Sequence, residues 1–514
     1  MSSGSIKEFY AGRSIFITGA TGFIGKVLIE KILRSCPKVD KIYALIRPKR
    51  GKTPEERLRA LTNLPLFDKL KEQYPDAIEK KLRAITGDTT EIGLGLSEED
   101  KKELVENISI IFHGAASVRF NDSLRKAVIM NTRGTREVIE LGYEMKKLEV
   151  FLHTSTTYCH TDKAVVAEQL YPAHADWRKT IEIAENMDEH VLQTLTSKYI
   201  TPLPNTYTFT KSLAEHVVND MCKDRIPAVI MRPSIVISTR NDPIIGWVDN
   251  YMGPMGMLVA CGKGILRTSY SNPNTIADYM PVDMAVRALL MSAWQKGIST
   301  NLEEKFDVTV YNCSNNNMCS ITMWELLDFG KQIFWEAPSS KILWFPGGSM
   351  TNCRYWNYLR VIFLHLLPAV IVDCILRVLN KKPILVTLQR RIYIANLALH
   401  YFITNEWKFL NDRAFNLERK LIPEEVQEFE YDIEHANVYE YFKNCIIHGR
   451  RYLLKEDDST LESAKVNLYR MYVLDRMVNI MFYIFLYWFM VYKLNIFMYI
   501  DYKFNRIYNG IMGY

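Results

Sequence analysis

Tyr207 and Lys211 stand four residues apart in Tyr207-Thr-Phe-Thr-Lys211. On a helix that spacing places a phenol and an ammonium on one face. A cation beside a phenol favours phenolate and lowers its pKa. Such a phenol can pass a proton to a carbonyl oxygen as hydride reaches the carbon. A second donor to the same oxygen is offered by Ser155-Thr156-Thr157, which follows the apolar run Glu149-Val-Phe-Leu-His-Thr154. Thr156 is the first choice, with Ser155 and Thr157 as alternatives. A Tyr-x-x-x-Lys pair on its own is an ordinary surface pair; it gains meaning from what precedes it.

What precedes it is a glycine turn. Gly19, Gly22 and Gly25 recur at steps of three between the apolar run Ile15-Phe-Ile17 and the helical pattern Val27, Leu28, Ile32, Leu33. In a strand–turn–helix, the first glycine permits the tight turn and the second lets backbone approach a pyrophosphate. The third lets helix and strand pack closely, with the helix N-terminus facing the phosphate charge. Thr18, Gly19, Thr21, Gly22, Phe23, Ile24 and Gly25 are therefore the candidate dinucleotide turn. The next strand, Lys41–Ile46, should end near an acid if the ribose 2′-hydroxyl is free. Arg47, Lys49 and Arg50 stand there instead, which suits the 2′-phosphate of NADP. Asp88, after Leu82-Arg-Ala-Ile-Thr-Gly, either accepts from the adenine amino group or caps its turn. Gly114-Ala115-Ala116 ends the strand Ile108–His113 with side chains small enough for a dinucleotide to lie against. Asn131, Thr154, Pro233, Ser234 and Val236, at or near later element ends, complete the candidate cofactor residues, together with Tyr207 and Lys211.

Strands alternating with helical patterns predict an α/β fold, a Rossmann-type doubly wound parallel sheet. A polar helical stretch is expected over Thr53–Lys81, a helix over Met284–Trp294 and a last strand near Asp307–Asn312. About fifty residues between Thr157 and Tyr207 are long for a connection and predict a lid or substrate wall. Gly246–Gly264, rich in Gly and Met, suits a flexible, lipid-accepting surface. The pattern breaks around Pro346. This gives an NADP- and substrate-binding reductase domain over 10–345, a helical apolar C-terminal domain over 355–455, and a membrane anchor and tail over 470–514. Tyr358–Leu379 is apolar but carries His365, Pro368, Asp373 and Arg377, and reads as a hairpin at an interface or docked on protein rather than a span. Leu388–Phe402 and Asp412–Leu421 look helical. Met477–Tyr492, extendable to Ile500, is the expected membrane segment.

The net charge of +6 over 514 residues, without a long basic cluster, argues against a nucleic-acid partner. The nine cysteines are scattered, odd in number and without a Cys-x-x-Cys pair; reduced thiols are expected, and no metal is. The polar N-terminus has no signal-like apolar core, so the catalytic region is expected to face the cytosol.

In order, the glycine turn, the Gly-Ala-Ala strand end, the Ser-Thr strand end and Tyr207…Lys211 resemble the extended short-chain dehydrogenase/reductase superfamily. Thr18–Gly25, Ala44-Leu-Ile-Arg-Pro-Lys49, Phe151–Tyr158, Tyr207–Lys211, Gly246-Trp-Val-Asp-Asn250 and Ala277-Asp-Tyr-Met-Pro-Val-Asp283 narrow the resemblance to the alcohol-forming fatty acyl-CoA reductases, insect members especially. Thr157 is a departure, since related enzymes often carry Ala there. The resemblance covers most of the chain. It implies that a long-chain fatty acyl-CoA is reduced to a primary alcohol by two NADPH, through an aldehyde, with release of coenzyme A. It also implies membrane lipid as a partner, at the endoplasmic reticulum or peroxisome. Thr156 and Tyr207 would stabilise the alkoxide. The competing readings are another membrane-associated NADP-dependent dehydrogenase acting on a sterol or lipid aldehyde, and a non-catalytic NADP-binding scaffold. Nothing in the sequence points to an oligomeric state.

Overall fold

A computed structural model describes residues 4–49, 51–315, 320–431, 437–493, 499, 502–504 and 506–508. Arg50, Cys319 and the 494–498 and 500 portion of the expected membrane segment lie outside the described residues. Seven strands form one parallel sheet: β1 (Ser14–Thr18), β2 (Ile42–Ile46), β3 (Leu82–Thr86), β4 (Ile108–His113), β5 (Val150–Thr154), β6 (Ala228–Pro233) and β7 (Val308–Cys313). Their order is β3-β2-β1-β4-β5-β6-β7. The winding direction reverses between β1 and β4, and such a switch point opens a crevice at the carboxyl ends of the strands.

Alternation along β1 shows why helices cover both faces. Ile15 and Ile17 enter one core with Leu28 and Ile32 of α1 (Phe23–Ser35). Phe16 enters the other. There it joins Ile139 of α2 (Gly134–Glu144) and Phe209 and Leu213 of α3 (Thr206–Cys222). The helix α4 (Val282–Gly297) closes the first face. The polar stretch expected as one helix is broken into Pro54–Thr62, Pro65–Phe67, Asp68–Gln73 and Ala77–Lys81. Pro65 and Pro75 interrupt it, because proline lacks the N–H and crowds the residue before it. Gly246–Gly264 is part packed and part open, with Tyr251 and Met252 exposed. It folds into the helix Pro254–Gly262, and Val248, Met255 and Leu258 are buried against Phe334 and Phe442.

The C-terminal region corrects the hairpin expectation. Tyr358–Leu379 does not fold back on itself. It belongs to one arm, a continuous helical run Arg354–Val378 with a π turn at Ile362–Leu366. The second arm is Leu385–Thr404. The acid in the apolar run has a local use: the Asp373 carboxylate accepts from the N–H groups of Ile384, Leu385 and Val386, capping the second arm. Arg354–Val378 and Asp458–Lys493 are both long and apolar enough to cross a membrane, and most of their apolar side chains are exposed. Arg267 ties the two together part-way along each. Its backbone N–H donates to His365 Nε2 at 2.9 Å, and its guanidinium meets Asp475 at 3.1 Å.

Candidate active site

The glycine turn is tight for stated reasons. Gly19 has φ +77°, and a Cβ there would sit 2.6 Å from the Gly114 carbonyl carbon. A Cβ on Gly25 would sit 2.4 Å from the Gly19 carbonyl oxygen. The loop thus brings the tips of β1 and β4 into contact. A chain of hydrogen bonds fixes that contact. Ala115 N donates to Thr18 Oγ1 at 3.2 Å, Thr18 Oγ1 lies 2.7 Å from His113 Nδ1, and His113 Nε2 lies 3.0 Å from Thr135 Oγ1. Burial pushes the His113 imidazole down to about 3, so the ring is neutral. Asn131 carries the link onward. Its side chain accepts from Ser117 N, donates to Ser117 O and donates to Thr210 of α3. Asn131 is fully enclosed and holds the Gly114–Ser117 loop to the helix bearing Tyr207. Phe23 turns aside to stack on Trp247, 5.5 Å between centroids, and Ile24 packs on the core.

Past β2, Arg47 lies 3.1 Å from Asp88, whose other oxygen accepts from Thr90 N. Burial opposes ionisation of Asp88, but the Thr90 N–H and the Arg47 guanidinium hold it below the usual carboxylate range. Asp88 is therefore a turn cap paired to a cation. Arg57 joins this group. Its guanidinium donates to the Arg47 carbonyl oxygen and reaches Thr21 Oγ1 at 3.4 Å. Burial and the neighbouring Arg47 charge lower its pKa. Two guanidiniums therefore share the rim beside the glycine turn. Lys49 forms a backbone bridge with Lys52.

At the end of β5 the three candidate hydroxyls part company. The Tyr207 phenol feels Thr156, whose side chain favours the phenolate, and Thr156 Oγ1 also accepts from Tyr158 N at 3.3 Å. Ser155 is turned away and donates to Glu215 at 2.5 Å. Thr157 is fully buried. The Lys211 ammonium does not face the phenol. It donates to the Thr154 carbonyl oxygen at 2.6 Å and lies 3.2 Å from His153 Nε2. Burial lowers Lys211 to about 8, opposed by the Glu215 charge. Burial likewise raises the Tyr207 phenol above its ordinary value, the reverse of what the four-residue spacing led one to expect. Pro233 closes β6, Ser234 N donates to Cys313 O at 3.0 Å, and Val236 lies in a strand pair with Tyr279–Pro281.

The chain matches two family models, both described as male sterility protein: an NAD-binding model over residues 17–289 and a second over 364–456. A rat protein named fatty acyl-CoA reductase 1 is 38% identical over 468 residues, covering 90% of this chain and 89% of its own. The Drosophila melanogaster fatty acyl-CoA reductase wat is 36% identical, covering 93% and 91%. The chain belongs to the fatty acyl-CoA reductase family. Among solved structures, the terminal R domain of the myxalamid biosynthetic pathway aligns with a TM-score of 0.57 at 18% identity. That match covers 87% of this chain and 93% of that domain, a likeness of fold. As a reductase with an NAD-binding unit, the protein uses a nicotinamide cofactor.

Two parts of this reductase site were not anticipated from the sequence. One is Arg57. The other is a buried pair. Arg232, next to last in the otherwise apolar strand β6, makes a two-pronged bond to Glu215 of α3 at 2.7 and 2.6 Å, both side chains fully enclosed. Glu215 also accepts from Ser155 and Cys159 and meets His160 at 3.1 Å. Burial disfavours its charge, yet Arg232 and His160 hold it well below the usual carboxylate range. Cys159, His160 and Glu215 have the atom types of a metal site, but the Glu215 oxygens already serve Arg232 and Ser155. The signal in the sequence was a lone Arg inside an apolar strand, which demands a buried acid without saying which one.

Proposed function

We propose that this reductase converts a long-chain fatty acyl-CoA to the primary alcohol, through the aldehyde, with two NADPH. The Thr156–Tyr207 hydroxyl pair at the end of β5 carries this reading. Two hydroxyls meeting at one point suit an oxygen that becomes negative as its carbon is reduced. NADPH supplies the hydride in each step. The residues suit that cofactor: the glycine turn admits no side chain between the tips of β1 and β4, and Arg47 and Arg57 sit where a 2′-phosphate would neutralise them. Tyr207 donates its proton to the carbonyl oxygen, and Thr156 holds that oxygen by a hydrogen bond. Lys211, fixed to Thr154 O, places a positive charge beside the strand end that carries Thr156, toward the negative oxygen that forms there. In the first step the oxygen of the resulting hemithioacetal returns its proton as it re-forms the carbonyl, the C–S bond breaks and coenzyme A leaves as the thiol, which leaves the aldehyde for the second step.

The units of this reading are the reductase domain over 10–345, the helical C-terminal domain over 355–455 and the anchor and tail over 470–514. Arg354–Val378 and Asp458–Lys493 seat the enzyme on membrane lipid. The catalytic part faces the cytosol at the endoplasmic reticulum or peroxisome.

Incubation of detergent-solubilised enzyme with NADPH and palmitoyl-CoA is expected to yield hexadecanol and free coenzyme A thiol. NADPH oxidation without alcohol would overturn the reading. Cofactor choice has its own test. Arg57→Ala removes a charge-assisted bond worth about 1.5–3 kcal/mol. It is expected to lower kcat/KM for NADPH about 10- to 100-fold and to leave that for NADH nearly unchanged. Equal losses with both cofactors would remove Arg57 from the 2′-phosphate site.

A further inference from the structure

The C-terminal region reaches the catalytic tyrosine. Phe120, on the loop after Gly114–Ser117, lies 5.8 Å from the Tyr207 ring. Phe402, on the last turn of Leu385–Thr404, lies 5.1 Å from Phe120 and 5.5 Å from Tyr158. Tyr158 follows Thr156 by two residues. A single side chain of the C-terminal region thus touches the surroundings of both catalytic hydroxyls. It is held there firmly. Lys408–Phe409 pairs with Val165–Val166 in the long connection before α3. The Tyr401 hydroxyl and the Trp407 indole N–H both donate to the Thr161 carbonyl oxygen, at 3.1 and 3.0 Å. Glu168 accepts from Ala414 N and Asn312 N, at 3.0 and 3.1 Å. Phe120, Tyr207 and Phe402 are each half-buried, so the rings keep some surface open to a ligand.

We propose that Phe402 and Phe120 form the acyl-side wall of the active site, gripping the carbons next to the reacting carbonyl and retaining the aldehyde between the two reductions. The proposal rests on the acyl-CoA reading above. Its logic is chemical. After the first reduction the acyl group has lost coenzyme A, and with it every contact the nucleotide made. The oxidised cofactor must leave and a fresh one enter before the second hydride arrives. Nothing covalent holds the aldehyde during that exchange. Apolar burial does, at about 0.8 kcal/mol per methylene, and a rigid aromatic wall also keeps water from the carbonyl. The long connection that sequence length alone marked as a wall is the part of the catalytic unit to which Phe402 is fastened.

The test uses full-length enzyme with palmitoyl-CoA or octanoyl-CoA, NADPH, and a hydroxylamine to trap escaping aldehyde. Phe402→Ala is expected to raise the trapped aldehyde fraction several-fold. It is also expected to narrow the preference for palmitoyl- over octanoyl-CoA, while NADPH binding followed by nicotinamide fluorescence stays at the wild-type level. Phe402→Leu keeps apolar bulk and is expected to raise trapped aldehyde about half as much. It decides the matter if the alanine variant fails to fold. A folded variant with wild-type aldehyde release and wild-type chain preference would overturn the wall. Wild-type enzyme that makes neither aldehyde nor alcohol from either ester would overturn the reading on which the wall stands, and the wall with it.

Discussion

Tyr207→Phe is expected to leave a folded protein that binds NADPH as before and makes alcohol about 10²–10⁴-fold more slowly, the usual worth of a positioned proton donor. The substitution keeps the ring against Phe120 and removes only the hydroxyl whose ionisation Thr156 favours. The loss should fall on kcat with little change in KM, because the bond matters most once the carbonyl oxygen carries charge. Thr156→Val should cost less, since Tyr207 still donates. Rates are checked by single-turnover reduction of an aldehyde substrate, which isolates one hydride step. A Tyr207→Phe enzyme within threefold of wild type would move the proton donor elsewhere.

The second large effect is on stability. Arg232→Met is expected to cost about 3–5 kcal/mol, the range for removing one partner of a fully buried ion pair. Arg232 and Glu215 are both enclosed, and methionine cannot neutralise the carboxylate left behind. His160, raised to about 10 although burial opposes its charge, is the nearest other cation, and it meets only one carboxylate oxygen. Denaturant unfolding of the two proteins measures the difference. A loss below about 1 kcal/mol would show that His160 suffices. Glu215 is also the charge that supports the Lys211 ammonium. The Glu215→Gln enzyme should therefore hold the Lys211 proton less well and lose alcohol formation at a lower pH than wild type.

These two residues show where the sequence stops being legible. The glycine turn and the β4 tip could be read because their roles are local. Gly19, Gly22 and Gly25 lie within seven residues, and a strand before and a helix after are enough to interpret them. Spacing placed Tyr207 and Lys211 on one face of α3, which is all that spacing can do. It says nothing about the Thr154 carbonyl that draws the ammonium away from the phenol. Ser155 and Thr156 are neighbours with the same chemistry, and only the position of Glu215 separates them. Arg57 lay inside a charged stretch where every residue looked solvated. Phe402 and Tyr207 are far apart in the chain, so no local pattern could join them. The Tyr358–Leu379 run reads as a poor span because it carries His365, Pro368, Asp373 and Arg377. His365 accepts from the N–H groups of Arg267 and Thr268, and Asp373 caps the neighbouring helix. A polar residue with a partner weighs less against burial than one without.

Arg267 holds His365 through its backbone and Asp475 through its guanidinium, part-way along two exposed apolar helices. A body moored by one flexible line spins; a body moored by two stems from a common footing keeps its bearing. On a bilayer, such a footing would fix which way the active-site mouth looks and how high it rides. Substrate search then becomes travel in a plane. What sets the pace is how many acyl chains share the sheet with each lipid, rather than how many share a litre of cytosol.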